Sequence, residues 1–224
     1  MWLAKTILNR RSLPTVSLQG QNIDYVKTAK NLGIIFTSSL SWNDQIVAAI
    51  GKVYGMLRTL WSQKEYTPCH IRLLLCKTYL MPTLLYGCEL FNNCDSIHAN
   101  KLKILFNNIA RYVYNRSRFS SISEFSKKIY GMTFNNVLNA RSLVLLHKII
   151  YTKTPNYLFR QLSFHRSNRG LRIMQIRYRY LLSKRQFLPN SISLWNKLPY
   201  SIQKISSFDT FKRSLIIHLS TLHS

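Results

Sequence analysis

The chain has 224 residues, and 32 Lys and Arg residues against 7 Asp and Glu residues give it a formal net charge of +25. Its 46% apolar and 12% aromatic residues exclude an intrinsically disordered chain, while 7 Gly and 6 Pro exclude a collagen-like or low-complexity one. The length suits one sizeable domain or two small ones.

The excess of positive charge predicts a polyanionic partner, because self-repulsion on this scale opposes compaction unless counter-charge is supplied. Lys and Arg on nucleic-acid phosphates supply it and release condensed counterions. Residues 1–100 carry 10 basic and 5 acidic residues, whereas residues 101–224 carry 22 and 2. We therefore expect the nucleic-acid footprint mainly in the second half. The alternatives are a solvated basic surface or a fragment whose acidic partner segment is missing.

The scarcity of carboxylates argues against catalysis by this chain alone. Two-metal phosphoryl chemistry normally needs several converging carboxylates. No two of the seven acidic residues lie within four positions of each other: Asp24, Asp44, Glu65, Glu89, Asp95, Glu124 and Asp209. We predict no catalytic residue, no metal site and no cofactor in this chain.

Targeting signals and cysteines favour an intracellular protein, cytoplasmic or nuclear and not secreted. The first residues lack the apolar segment of a secretory signal. The most apolar stretch, residues 71–91, is interrupted by charges and a proline, so no membrane span is expected. The cysteines lack zinc-binding spacing and are predicted to be reduced thiols: Cys69, Cys76, Cys88 and Cys94.

The chain begins with weak β signals and continues with a helix. Alternation on either side of Gly20 predicts a short hairpin, and residues 31–36 predict a buried strand. Ser41 precedes Trp42, with Asp44 three residues on, which is typical of a helix start. The helix has an apolar stripe at spacings of four and three residues: Ile46, Ile50, Val53, Leu57 and Leu60.

Four further helices are predicted before Pro155. Thr67 and Pro68 start the second, which runs towards Pro82. The third carries the apolar stripe of residues 102–113, and Ser121 with Glu124 forms a capping box for the fourth. The fifth, over residues 134–151, is apolar nearly all round and is therefore expected to be central.

Arginine crowds residues 160–185, where a β-hairpin is predicted before a final helix that starts at Ser207. Residues 176–180 alternate basic with apolar or aromatic side chains, so a strand there would have its arginines on one face. Such a face suits phosphate contact and base stacking; the alternative is an edge strand with outward charges. The candidate residues of this region are Arg172, Arg177, Arg179, Lys184 and Arg185.

Together these elements predict a mainly α fold with a small β part (α+β). Five short motifs then occur in order along the chain: residues 31–36 with 40–46, 82–91, 107–111, 154–158, and 195–199 with 211–215. In this order they resemble the C-terminal portion of reverse transcriptases of non-LTR retrotransposons, of the jockey- and chicken-repeat-like type. Phe91 stands where that family has Trp.

The resemblance implies three regions. Residues 1–38 would be the end of the polymerase palm with a primer-grip-like strand, residues 39–116 a thumb-like helical bundle, and residues 117–224 a basic post-thumb region. The family's fingers, catalytic carboxylates and endonuclease domain would precede Met1, so Mg²⁺ is implied for the full-length polymerase only. The expected partners are RNA, an RNA–DNA hybrid and those missing N-terminal regions, with no membrane.

The resemblance also implies roles for individual residues. Lys5 would correspond to the palm lysine near the pyrophosphate leaving group, a task it lacks without the active site; the alternative is an exposed N-terminal lysine. Gly33 would lie in the primer-grip strand and let a nucleic-acid backbone approach closely; the alternative is a turn or bulge glycine. Candidates for phosphate contacts by the thumb are Arg58, Lys64, Lys103 and Arg111.

The function expected from the sequence is therefore that of a polymerase fragment that binds template RNA or RNA–DNA hybrid without catalysing synthesis. A stand-alone, non-catalytic RNA- or DNA-binding protein is one alternative. A product of a decayed element with no function of its own is another.

Overall fold

The structure is a computed structural model that describes residues 15–167, 170–177 and 186–221. Over these residues the chain is mainly helical, with three separate two-stranded antiparallel sheets. The expectation of a mainly α fold with a small β part is confirmed. Most of the buried apolar side chains form one cluster, which includes residues from Ile46 to Leu219.

Two hairpins precede the helices. In the first, β1 (Val16–Leu18) pairs with β2 (Gln21–Ile23), as the alternation around Gly20 predicts. In the second, β3 (Thr28–Asn31) pairs with β4 (Ile34–Thr37). The second hairpin lies against α1, since the Ile35 N–H donates to the Gln45 side chain at 2.9 Å.

The prediction of one buried strand over residues 31–36 is wrong. Leu32 and Gly33 form the turn between β3 and β4, with φ values of 48° and 80°. Two positive φ angles in succession are typical of a two-residue hairpin turn, and they explain the glycine. Gly33 thus lies in a turn rather than in a strand, and Ile34 is the one buried residue of the following strand.

The first group of helices forms the N-terminal part of the core. Its members are α1 (Asn43–Ser62), α2 (Cys69–Leu75), α3 (Met81–Leu84), α4 (Cys88–Phe91), α5 (Ser96–Tyr114) and α6 (Ser123–Tyr130). A π-helical turn, Cys76–Leu80, joins α2 to α3. The predicted stripe of α1 faces inward: Ile46, Val53 and Leu57 are buried, and its other two members pack against the core.

The second group is organised around α7. It consists of α7 (Phe134–Thr152), α8 (Asn156–Phe159), the hairpin of β5 (Phe164–Ser167) and β6 (Gly170–Ile173), α9 (Phe187–Trp195), α10 (Tyr200–Gln203) and α11 (Phe208–Thr221). As predicted, α7 is central: it has buried residues along its length and packs against α4, α6, α9 and α11.

Helix starts were predicted less well than helix stripes. Helix α6 begins at Ser123 without a side-chain cap, so the predicted capping box at Ser121 is wrong. Thr67 does not cap α2 either, because its hydroxyl donates to the Gln63 carbonyl at 2.8 Å. The side-chain caps occur elsewhere: Asp95 accepts from the His98 N–H, and Thr133 accepts from the Asn136 N–H.

The arginine-rich hairpin also differs from its prediction. It is formed by β5 and β6, while residues 174–177 have no regular structure. Residues 178–180 of the predicted strand lie outside the described residues. Among the helices that the structure describes, none is both long and apolar enough to cross a membrane.

A buried aromatic stack joins α7, α9 and α11. The His147 ring lies 3.9 Å from the Phe211 ring between centroids, and the Trp195 ring lies 5.8 Å from that of Phe211. His147 Nε2 pairs with the Ile205 carbonyl at 2.7 Å, whereas its buried Nδ1 has no hydrogen-bond partner in the described part of the chain. Burial lowers the pKa of His147 below its ordinary value of 6.5.

We predict that the fold loses stability as the pH falls below about 6.5. The unfolded chain binds a proton at His147 in this range more readily than the folded chain does, so the free energy of unfolding falls with falling pH. Urea unfolding from about pH 7.5 to about pH 5.5 measures the change. His147→Gln should reduce the fall, whereas His70→Gln, at an exposed histidine, should not. An equal fall in all three proteins would contradict the assignment.

Candidate nucleic-acid groove

An open groove of about 920 Å³ lies between α1 and α5, which we call the α1–α5 groove. The loop that follows α5 contributes to its wall. Its lining residues are Tyr54, Leu57, Arg58, Trp61 and Ser62 of α1, Ile104, Asn107, Asn108 and Arg111 of α5, and Arg116 and Arg118 of the loop.

Helical periodicity explains why these residues line one surface. Side chains three or four positions apart share a face of a helix. On α1 the buried face contains Val53 and Leu57, which leaves Tyr54, Arg58 and Trp61 on the adjoining face. The same spacing on α5 produces the second row, from residue 104 to residue 111. Packing of α1 on α5 then sets the two rows opposite each other.

The end of α5 brings the loop arginines to the groove. Asn115 has a left-handed conformation, with φ 51°, and terminates the helix. The Arg116 N–H then donates to the Arg111 carbonyl at 3.0 Å, as in a common helix C-terminal motif. The Arg116 guanidinium lies 4.2 Å from the centroid of the Phe125 ring, which ties the loop to α6.

A short hydrogen-bond chain crosses the groove. Asn108 Nδ2 donates to the Tyr54 hydroxyl at 3.0 Å, and Arg111 Nη1 donates to Asn108 Oδ1 at 3.2 Å. Arg111 Nε is buried and has no hydrogen-bond partner among the residues that the structure describes. Arg111 is thus held in position while one of its donors is unused, although buried donors in proteins are nearly always paired.

The groove is strongly electropositive. Four arginines line it, no acidic residue does, and none of the four forms an ion pair within the described ranges: Arg58, Arg111, Arg116 and Arg118. By contrast, Arg141 on α7 pairs with Glu89 at 3.1 Å. The Lys64 ammonium adds charge beside the groove, 4.7 Å from the centroid of the Trp61 ring. Unpaired arginines around an apolar floor can hold phosphates while aromatic rings stack on bases.

The structure brings together only some of the predicted residues. Arg58 and Arg111 line the groove, and Lys64 lies beside it. Lys103 is exposed on α5 but is not part of the lining. Arg172 and Arg177 are exposed in the C-terminal region, and Gly33 lies in the hairpin turn. Lys5, Arg179, Lys184 and Arg185 lie outside the described residues.

Sequence reasoning did not assign the other lining residues to a site: Tyr54, Trp61, Asn108, Arg116 and Arg118, and also Leu57, Ser62, Ile104 and Asn107. The signal for the first three was their spacing from Arg58 and Arg111 on the same helices. The signal for the loop was Asn115, because asparagine adopts the left-handed conformation more readily than most residues and often follows a helix.

Other chemistry finds less support in the structure. All four cysteines are free thiols, and burial raises the pKa of Cys76 and that of Cys88 to about 12. These two thiols are therefore protonated at neutral pH and are not nucleophiles. Within the part of the chain that the structure describes, no three His, Cys, Asp or Glu residues are grouped to hold a metal ion.

The chain matches no protein-family model, and comparison with curated proteins and with solved structures yields no match.

The electropositive groove generates a prediction about Trp61, which is 40% exposed beside its arginines. Iodide should quench Trp61 fluorescence more strongly, relative to neutral acrylamide, than it quenches free tryptophan, because the positive potential concentrates anions. The measurement uses a Trp2→Phe, Trp42→Phe background, since Trp195 is buried. Adding Arg58→Gln and Arg118→Gln should lower the quenching by iodide and leave the quenching by acrylamide unchanged. An iodide-to-acrylamide ratio equal to that of free tryptophan would show that the groove has no such potential.

Proposed function

We propose that this chain binds a polynucleotide in the α1–α5 groove through its phosphates, with little sequence preference. The observation that carries the proposal is the convergence around an apolar, aromatic floor of four arginines that form no ion pair with any residue that the structure describes. Arginine presents a planar fork of donors that matches phosphate oxygens. Contacts of this kind fix position on the strand but carry little sequence information.

We further propose that the chain corresponds to the thumb and C-terminal part of a non-LTR retrotransposon reverse transcriptase, and that it acts on template RNA or RNA–DNA hybrid inside the cell. Contacts between the family-like motifs support this. The Tyr86 hydroxyl of one motif donates to the Leu32 carbonyl of another at 2.6 Å. Asn108 and Arg111 of a third belong to the hydrogen-bond chain of the groove.

The terminal motif is likewise built into the fold. Asn196 pairs twice with the Ile173 backbone, since its amide nitrogen donates to the carbonyl at 2.8 Å and its oxygen accepts from the N–H at 3.0 Å. Trp195 beside it is fully buried. This agrees with a packing role for the motif, not contact with nucleic acid. A stand-alone binding protein would use the same groove, so the alternative differs in its partners and not in its binding chemistry.

The acidic residues favour binding without catalysis. Two of the seven have structural partners: Glu89 pairs with Arg141, and Asp95 caps α5. The other five are scattered over connecting segments and helices, and none of them lines the groove as the structure describes it. Polymerase activity of a complete enzyme would thus depend on carboxylates supplied by another region.

Binding to a labelled oligonucleotide should weaken steeply between about 50 and 200 mM salt, because phosphate contacts release counterions. Each of Arg58→Gln, Arg111→Gln and Arg118→Gln should lower the slope of log affinity against log salt by about one. Fluorescence anisotropy at several salt concentrations gives this slope.

The matched control for these arginines is Arg213→Gln on α11, which removes the same charge from an exposed position away from the groove. It should leave the slope close to that of the unsubstituted chain. An affinity that does not change with salt would contradict the proposal, as would an equal effect of Arg213→Gln and the groove substitutions.

The purified chain should not extend an annealed primer with Mg²⁺ or Mn²⁺, because its few carboxylates do not converge on the groove. The assay measures incorporation of labelled nucleotide on RNA and DNA templates. Since any contaminating polymerase would be active, a preparation with Asp44→Asn and Glu65→Gln serves as the control. Incorporation that survives stringent purification and is lost in that variant would overturn the prediction.

A further inference from the structure

We propose that the α1–α5 groove takes in unpaired nucleobases, so that its ligand is a single-stranded segment with bases on the groove floor and phosphates on the arginine rim. This rests on the proposed function and goes further, because phosphate binding alone would suit a duplex equally well. The inference depends on the floor of the groove rather than on its charge.

The floor is too apolar for a site that holds phosphates only. Tyr54 and Trp61 are 39% and 40% exposed, and Ile104 is 55% exposed. These side chains line the same groove, whereas exposed apolar side chains normally occur singly. Phosphate gains nothing from such a surface, while a base presents flat apolar faces that stack on aromatic rings.

The size of the groove supports the same ligand. Its volume of about 920 Å³ lies at the upper end of pockets that hold whole small molecules. A single phosphate group would leave most of that space to water. A polyanion with flat apolar groups along its length would cover the floor with those groups and pair its negative charges with the arginines of the rim. Nucleic acid has both features, and its charge is complementary to that of the groove.

Polar groups of the groove also suit base edges. The amide of Asn107 lines the groove and, among the described residues, makes no hydrogen bond; Arg111 Nε is buried without a partner. An amide offers both a donor and an acceptor, as the edges of all bases do. In a duplex the Watson–Crick edges are paired and the base faces are stacked, so neither can reach this floor.

The test compares three oligonucleotides with the same number of phosphates: a base-containing single strand, a strand of that length with abasic sites throughout, and a duplex of half that length. Removal of the bases should weaken binding by about tenfold or more, because stacking of even one base is lost. The duplex should bind more weakly than the base-containing single strand that has the same number of phosphates. Binding is measured by competition against one labelled probe at fixed salt.

Two variants separate bases from phosphates. Trp61→Leu should weaken binding of the base-containing strand by about fivefold or more and leave the abasic strand unchanged, since stacking is worth this much or more per base. Arg58→Gln should weaken both strands. The matched aromatic control, Tyr200→Leu on α10, should change neither, because Tyr200 is 54% exposed away from the groove. If Trp61→Leu lowers the unfolding midpoint, Trp61→Phe is used in its place. This variant keeps an aromatic ring and should therefore retain most of the base-dependent binding.

Each outcome has a distinct meaning. Equal binding of abasic and base-containing strands would overturn the inference and leave phosphate binding intact, as would tighter binding of the duplex. Failure of all three nucleic acids, together with binding of an acidic, aromatic peptide of equal charge, would overturn both this inference and the proposed function. Base-dependent binding that is lost on Trp61→Leu and retained on Tyr200→Leu would establish it.

Discussion

The packing of α1 against α5 is the interaction on which the proposed binding surface depends. Val53 and Leu57 of α1 and Leu105 and Ile109 of α5 belong to one buried cluster. Burial of each such side chain contributes about 1.5–3 kcal/mol, whereas each hydrogen bond across the groove is worth about 1 kcal/mol or less where it is exposed to water. The core therefore fixes the separation and register of the two helices. The chain from Tyr54 through Asn108 to Arg111 then orients side chains on a surface whose geometry is already set.

The core sets the helix positions and the surface hydrogen bonds orient side chains, and this difference explains which features the sequence could predict. Periodicity identifies which residues point inward, so the buried stripe of α1 and the central position of α7 were both predicted correctly. It does not give the rotation and offset of one helix relative to another. For that reason Arg58 and Arg111 were found as separate basic residues, but not as members of one groove with Trp61 and Tyr54.

Local backbone chemistry set a second limit. The turn at Leu32–Gly33 requires a positive φ at a leucine, a conformation that bulky residues rarely adopt, so propensity favoured a continuous strand. The predicted caps at Thr67 and Ser121 failed because a hydroxyl near a helix start has other acceptors available, as Thr67 does at the Gln63 carbonyl. Asp95 and Thr133 do cap their helices, because in each case the side-chain oxygen lies close enough to accept from the backbone N–H three residues further along the chain.

The charge of the chain connects stability with binding. Two like charges about 10 Å apart repel by only about 0.4 kcal/mol in water before salt screening, so the apolar core easily outweighs any one such pair. The repulsion summed over a formal charge of +25 nevertheless destabilises the folded state. Four groove arginines contribute to it, since they have no counter-ions in the described ranges. A ligand that binds only the folded chain stabilises it by mass action, and a polyanion also removes the repulsion that opposes folding. The polyanion proposed for the α1–α5 groove would supply the counter-charge that its four arginines lack among the described residues.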